Sequence, residues 1–200
     1  MLIGYSMPLE IDILALKNKD EDAFRVLIDT FGKSIFNLCL GIVPIAEDAE
    51  DISQEVFIEA FKSIHTFREG AHIKTWLYRI AINKCYDHLK WTKRKKRYAL
   101  LQPLFNKDEE PIEIPSNFQH PGIVLENKEH AKVLYAAMES LPENQNTAFV
   151  LYEMQGMNYK EISETMSVSV SSVEALLFRA RAALRKKLHA YYYNNTSFKK

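Results

Sequence analysis

The run from Asn158 to Arg181 constrains the fold more than any other stretch of this chain. Tyr159, Ile162 and Met166 recur at helical spacing. Val173, Leu176, Leu177, Ala180 and Leu184 do so again a few residues later. Between the stripes lies Ser167-Val168-Ser169, rich in hydroxyls, with Ser169 placed to cap the second helix. A short helix, a tight turn and a longer helix carrying Arg179, Arg181, Arg185, Lys186 and Lys187 predict a helix-turn-helix with a basic second helix. An amphipathic pair inside any helical domain has the same pattern, so the rest of the chain must arbitrate.

Bulk charge does not arbitrate, because 26 Lys and Arg cancel 26 Asp and Glu over the 200 residues. Distribution does. Lys84 to Arg97 holds seven basic residues and one Asp, and Glu174 to Lys200 holds seven basic residues and one Glu. Glu47 to Glu59 holds six acidic residues and no basic one. Charges more than ~10 Å apart are largely screened, so these act as separate surfaces.

Other classes find little support. Cys39 and Cys85 lie in apolar helical contexts, which favours buried thiols over a disulfide or metal site. His65, His72, His88, His120, His130 and His189 form no zinc-type spacing. No cofactor, metal or small-molecule substrate is expected. There is no Gly-rich phosphate loop and no G-x-S-x-G motif, so the chain does not read as an enzyme. No run approaches the ~18 apolar residues of a membrane span. Met1 to Met7 lacks a basic and then apolar leader. The expectation is a cytoplasmic protein.

Taken in order, the chain predicts an all-α fold. Pro8 to Leu16 suits a short helix, and Asp20 suits the N-cap of a long one carrying Phe24, Leu27, Ile28, Phe31, Ile35, Leu38 and Ile42, which Pro44 stops. A third helix, about Glu47 to Ser63, turns Ala49, Ile52, Val56, Phe57, Ala60 and Phe61 inward and carboxylates outward. A fourth runs from about Ile73 through Trp91 and ends in Lys93-Arg94-Lys95-Lys96-Arg97. Four prolines between Pro103 and Pro121 then mark a linker. Two small helical domains are therefore expected, residues 8–97 and 123–190, joined by a Pro-containing linker at 98–122, with a frayed tail at 191–200.

Within the fourth helix Trp76 sits on the apolar stripe and reads as core, whereas Tyr78, Arg79, Asn83 and His88 fall off it. Those four, with Lys84, either face water or line a groove where bases stack on rings and cations track phosphates. The preceding loop, with Phe67, Arg68 and His72, is either ordinary or a receptor for an unstacked base. The acidic face of the third helix repels DNA and suits a basic protein partner.

Three segments together resemble the sigma factors of bacterial RNA polymerase. Ala46 to Phe61 is similar to their core-polymerase-binding helix. Phe67-Arg68 followed by Thr75-Trp76-Leu77-Tyr78-Arg79-Ile80-Ala81-Ile82-Asn83 resembles their −10 region. Leu141-Pro142 through Arg181 resembles their −35-binding helix-turn-helix. Two such domains with little else resemble the extracytoplasmic-function (ECF) branch. The resemblance implies contact with core polymerase through Asp48, Asp51, Gln54, Glu55, Phe57 and Ile58. It implies −10 contacts through Phe67, Arg68, His72, Tyr78, Arg79, Asn83, Lys84 and His88. On the −35 side it implies Ser171, Ser172, Glu174, Ala175, Phe178, Arg179 and Arg181, with Arg181, Arg185 and Lys186 on the DNA backbone. Its implied partners are core RNA polymerase, promoter DNA and a cognate anti-sigma factor, which is often membrane-tethered.

Three residues depart from the family pattern. Ser167 stands where such turns often carry Gly, Ser163 where a small Ala is common, and Glu174 where many relatives carry a cation. A carboxylate cannot bind a guanine edge but can accept from a cytosine amino group, which changes the expected target sequence. Two other readings stay open on the residues: a helix-turn-helix regulator that works without polymerase, and a helical adaptor whose basic ends contact acidic partners.

Overall fold

A computed structural model of the chain describes residues 11–68, 70–101 and 125–196. All regular structure among them is helical: α1 (Ile13–Lys17), α2 (Glu21–Ile42), α3 (Ala46–Ser63), a 3-10 turn (Ile64–Thr66), α4 (Ile73–Leu101), α5 (Leu125–Glu139), α6 (Glu143–Phe149), α7 (Tyr159–Met166) and α8 (Val170–Thr196). No helix among the described residues is long and apolar enough to cross a membrane.

Local chemistry sets the boundaries. Asp12 and Asp20 cap α1 and α2, their carboxylates accepting from Ala15 N at 2.9 Å and Ala23 N at 2.8 Å. Val43, pushed into extended backbone by the proline that follows, ends α2. Pro8 and the prolines from Pro103 to Pro121 lie outside the described residues.

Two expectations about helix ends are corrected. The fourth helix continues past Trp91 and Arg97 to Leu101, and the last helix runs through the expected tail to Thr196. Beyond Trp91 the residues Thr92 to Tyr98 bury almost nothing, so no apolar stripe announces them. Lys and Arg are nevertheless good helix formers and carry the turns on in solvent.

α2, α3 and α4 bury Leu27, Leu38, Ile52, Val56, Leu77 and Ala81 against one another, and α1 closes the end through Leu16. Cys39 and Cys85 are buried, reduced neighbours in this core. A hydrogen bond with Cys39, reinforced by burial, pushes the Cys85 thiol far up. The second helical group buries Tyr135, Met138, Leu151, Ile162, Val173, Leu177 and Leu184.

Between α6 and α7 the chain widens into a π-helical turn, Val150–Met154, closed by Gln155 N donating to Val150 O at 3.1 Å. This turn, α6 and α7 pack directly on α2 and α4 of the first group. α4 is thus covered on two sides.

Candidate nucleic-acid interface

The helix-turn-helix is built by short-range hydrogen bonds. Asn158 and Glu161 form a capping box: Asn158 Oδ1 accepts from Glu161 N at 3.0 Å, and Glu161 Oε2 accepts from Asn158 N at 2.7 Å. Ser167 ends α7 in the left-handed region, with φ 55° and ψ 44°. Ser163 Oγ donates to Val168 O at 2.8 Å, and Val168 N donates back to Ser163 O at 3.1 Å. The Ser163 departure therefore has a structural job that Ala could not do: it clips the turn. Ser169 Oγ accepts from Ser172 N at 3.2 Å and caps α8.

The strain at Ser167 gives a test of the turn. A left-handed L-residue costs ~1–2 kcal/mol, part of which glycine returns through its freer unfolded chain. Ser167→Gly is expected to stabilise the protein by about 0.5–1 kcal/mol in urea melts; a loss of stability would show that the Ser167 conformation is assigned wrongly.

Val173, Leu177, Ala180 and Leu184 anchor one side of α8, leaving the other free. Ser171, Ser172, Glu174 and Arg179 are exposed, Ala175 is half-buried, and Phe178 stands 75% exposed beside them. A large ring so exposed on a basic helix is costly in water and suits a groove. Arg181 does not join this row. Its Nε and Nη2 donate to Glu153 Oε1 at 3.3 and 3.0 Å, and the guanidinium lies 4.8 Å over the Tyr152 ring. These contacts tie α8 to the π turn, a role beyond the DNA-backbone contact expected of Arg181.

Expectations for the fourth helix, which packs against α7, also need correction. Tyr78 is buried, with its hydroxyl donating to Gln155 Oε1 at 2.9 Å, and burial raises its pKa. Phe67 is buried too, its ring edge-on to Trp76 with centroids 5.6 Å apart. Neither can stack on a base in this arrangement. Arg68 and His72 are exposed on the loop, as is Asn83 on α4.

Arg79 is bound across the molecule: Nε donates to Glu164 O at 3.2 Å and Nη2 donates to the same carbonyl. Lys84 reaches back to Glu55 at 3.3 Å and Glu59 at 3.9 Å, and His88 Nε2 meets Asp48 Oδ2 at 3.2 Å. The polar side chains of α3 split accordingly. Asp48 and Glu55 reach α4, while Asp51 and Gln54 face solvent. Beside them a groove of about 470 Å³ runs between α2 and α3, lined by Ile28, Phe36, Gln54 and Phe57 among others. Ile58, also on α3, is 54% exposed.

A second cleft, of about 310 Å³, lies where α4 meets α7, between Arg79, Asn83, Tyr86, Asn144, Thr165 and Ser167. Sequence reasoning missed Tyr86, Asn144 and Thr147. The Tyr86 hydroxyl lies 3.1 Å from Asn144 Oδ1 and 2.9 Å from Thr147 Oγ1. Only the pairing of two helical groups puts these residues together, and helical periodicity carries no signal of that.

Two helical groups, one carrying an exposed helix-turn-helix and the other an apolar groove beside exposed carboxylates, fit a DNA-directed factor, and comparison with known proteins says which. The family profile described as Sigma-70 region 2 matches residues 27–95, and that of Sigma-70, region 4 matches residues 131–184. The chain is 30% identical over 169 residues to the ECF RNA polymerase sigma-E factor of Escherichia coli K12, covering 84% of this chain and 88% of that protein. It is 31% identical over 169 residues to the RNA polymerase sigma-H factor of Pseudomonas aeruginosa, with the same coverage. Among solved structures it is similar to CnrH in complex with the cytosolic domain of CnrY, at TM-score 0.64 and 21% identity, over 89% of this chain and 95% of that one. It also matches the sigma factor RpoE of Bartonella quintana, solved with the anti-sigma factor NepR, at TM-score 0.63 and 20% identity, over 82% and 96%. The chain belongs to the sigma-70 family, in its ECF branch.

Proposed function

We propose that this protein is a promoter-specificity subunit: it joins core RNA polymerase and directs initiation by recognising −10 and −35 elements. The observation that carries this reading is the coexistence, in the family's order, of a region 2 and a region 4 with an outward recognition face on α8. The role is one of binding, with the chemistry left to the polymerase. Residues 27–95 serve the polymerase and the −10 element, and residues 131–184 serve the −35 element.

Ser171, Ser172, Glu174, Ala175, Phe178 and Arg179 form the face offered to the −35 major groove. Glu174 favours a cytosine amino group there. Asn83 and Arg79, with Arg68 and His72 from the loop, take the −10 strand. Regulation by an anti-sigma factor is part of the proposal, supported by the family and by the Bartonella neighbour's partner.

Polymerase contact falls on the exposed side of α3, next to the α2–α3 groove. Asp51, Gln54 and Ile58 are the residues to test, because Asp48 and Glu55 are tied to His88 and Lys84. Asp51→Lys combined with Ile58→Ala is expected to weaken binding to core polymerase by about 1 kcal/mol or more, roughly fivefold, without unfolding exposed positions. A titration of labelled protein with core enzyme checks this. Unchanged affinity would remove the exposed side of α3 from the interface.

A further inference from the structure

The cleft where α4 meets α7 holds about 310 Å³, at the small end of the range for small-ligand sites. Its wall shows which kind of ligand fits. Ile82, Met166 and Val168 contribute apolar surface, and Arg79, Asn83 and Asn144, all exposed, contribute polar surface. We infer that this cleft binds a small organic anion, a carboxylate or phosphate on a compact apolar body, through the donors of Arg79, Asn83 and Asn144. In one respect, competition with DNA, the inference rests on the promoter reading above.

Charge decides for an anion. Among the described residues Arg79 is the one charged side chain that lines the cleft, and no Asp or Glu joins it. Arg79 also has no carboxylate partner among the described residues. Its Nε and Nη2 donate to the Glu164 carbonyl near the end of α7, which leaves Nη1 unspent. A helix C-terminus carries roughly half a negative charge against the full positive charge of a guanidinium, so the balance stays positive. Glu143, beside Asn144 in sequence, is paired with Lys93 at 2.6 Å.

Other donors in the wall are unspent as well. Asn144 meets the Tyr86 hydroxyl through Oδ1 at 3.1 Å, so its Nδ2 remains. The Asn83 side chain makes no hydrogen bond among the described residues. Thr165 also lines the cleft; it is 3% exposed, and its hydroxyl has no partner among the described residues. Buried hydroxyls are normally paired, by protein or by a bound molecule. Guanidinium and carboxamide N–H groups match the lone pairs of an oxyanion, whereas Arg79 has no acceptor to offer a cation. Ile82, Met166 and Val168 then favour an apolar body, because burial takes it out of water. Arg79 and Asn83 are the side chains assigned above to the −10 strand, so ligand and strand compete for them.

The test uses the full chain with benzoate, phenyl phosphate and neutral benzyl alcohol as probes, following the side-chain N–H resonances of Arg79, Asn83 and Asn144. Saturable shifts are expected with benzoate, phenyl phosphate or both, which shows the oxyanion the site takes, and none with benzyl alcohol. Asn144→Asp keeps the acceptor that meets Tyr86, removes the Nδ2 donors and adds a negative charge. The new acid falls in the first turn of α6, where the helix dipole favours it, so folding is kept. Affinity of this variant for the anionic probe should fall about tenfold or more. Equal shifts with benzyl alcohol, no saturable shift with either anion, or unchanged affinity in Asn144→Asp overturns the inference. Affinity for a fluorescent single strand of mixed sequence is measured alongside. With the anion at about ten times its Kd, apparent strand affinity should fall about tenfold. Anion binding that leaves strand affinity unchanged would keep the site but overturn the competition, and with it the −10 assignment of Arg79 and Asn83.

Discussion

Leu177→Ala is expected to destabilise the helix-turn-helix by about 2–5 kcal/mol, the range for truncating a buried leucine. Leu177 is 1% exposed on the inner side of α8, where it belongs to the same buried cluster as Ile162, Val173 and Ala180. The residues matched to region 4 number only 54, so their share of a typical total of ~5–15 kcal/mol is small. A loss of this size leaves α7 and α8 largely unfolded while the α2–α4 core persists. Urea melts followed by circular dichroism should therefore split into two transitions. Initiation from promoters that need the −35 element should fall to background. A shift below about 1 kcal/mol would mean that α8 is not anchored through this stripe.

Arg179→Ala is expected to cost about 1–3 kcal/mol in −35 binding and to relax sequence preference at one base pair, the signature of a base-reading contact. Stability should be unchanged, because Arg179 is exposed. Arg181 provides the internal contrast. It is bound to Glu153 and stacked over Tyr152, so Arg181→Ala should weaken the seating of α8 on the π turn and leave base preference as it was. Electrophoretic competition against a library of −35 variants separates the two. Equal weakening of Arg179→Ala on every sequence would reassign it to the phosphate backbone.

Much of the fold was legible because the helices that bury one face write that face into the sequence. Phe24 to Ile42, Ala49 to Phe61 and Val173 to Leu184 are such cases. Residues that bury almost nothing leave no such mark, which is why the end of α4 was drawn too short. The outward side of α8 was legible for the converse reason: once Val173, Leu177 and Ala180 point inward, Glu174, Phe178 and Arg179 must point out. Tyr78 was misread as outward-facing, and the Arg79 bond to Glu164 went unforeseen, because a helical wheel assumes one packed face. α4 has two, and the second is supplied by residues about eighty positions away. Phe67 was misread for a local reason, its ring being held edge-on by Trp76 one turn into α4.

Run-off transcription from fragmented genomic DNA of the source organism, with purified core polymerase and this protein, tests the central claim most directly. The account predicts transcripts from a restricted set of start sites, present only when the protein is added and lost with the Leu177→Ala variant. Specific binding of the protein to duplex DNA with no initiation on adding core polymerase would contradict it, and would make the chain a regulator that works without polymerase.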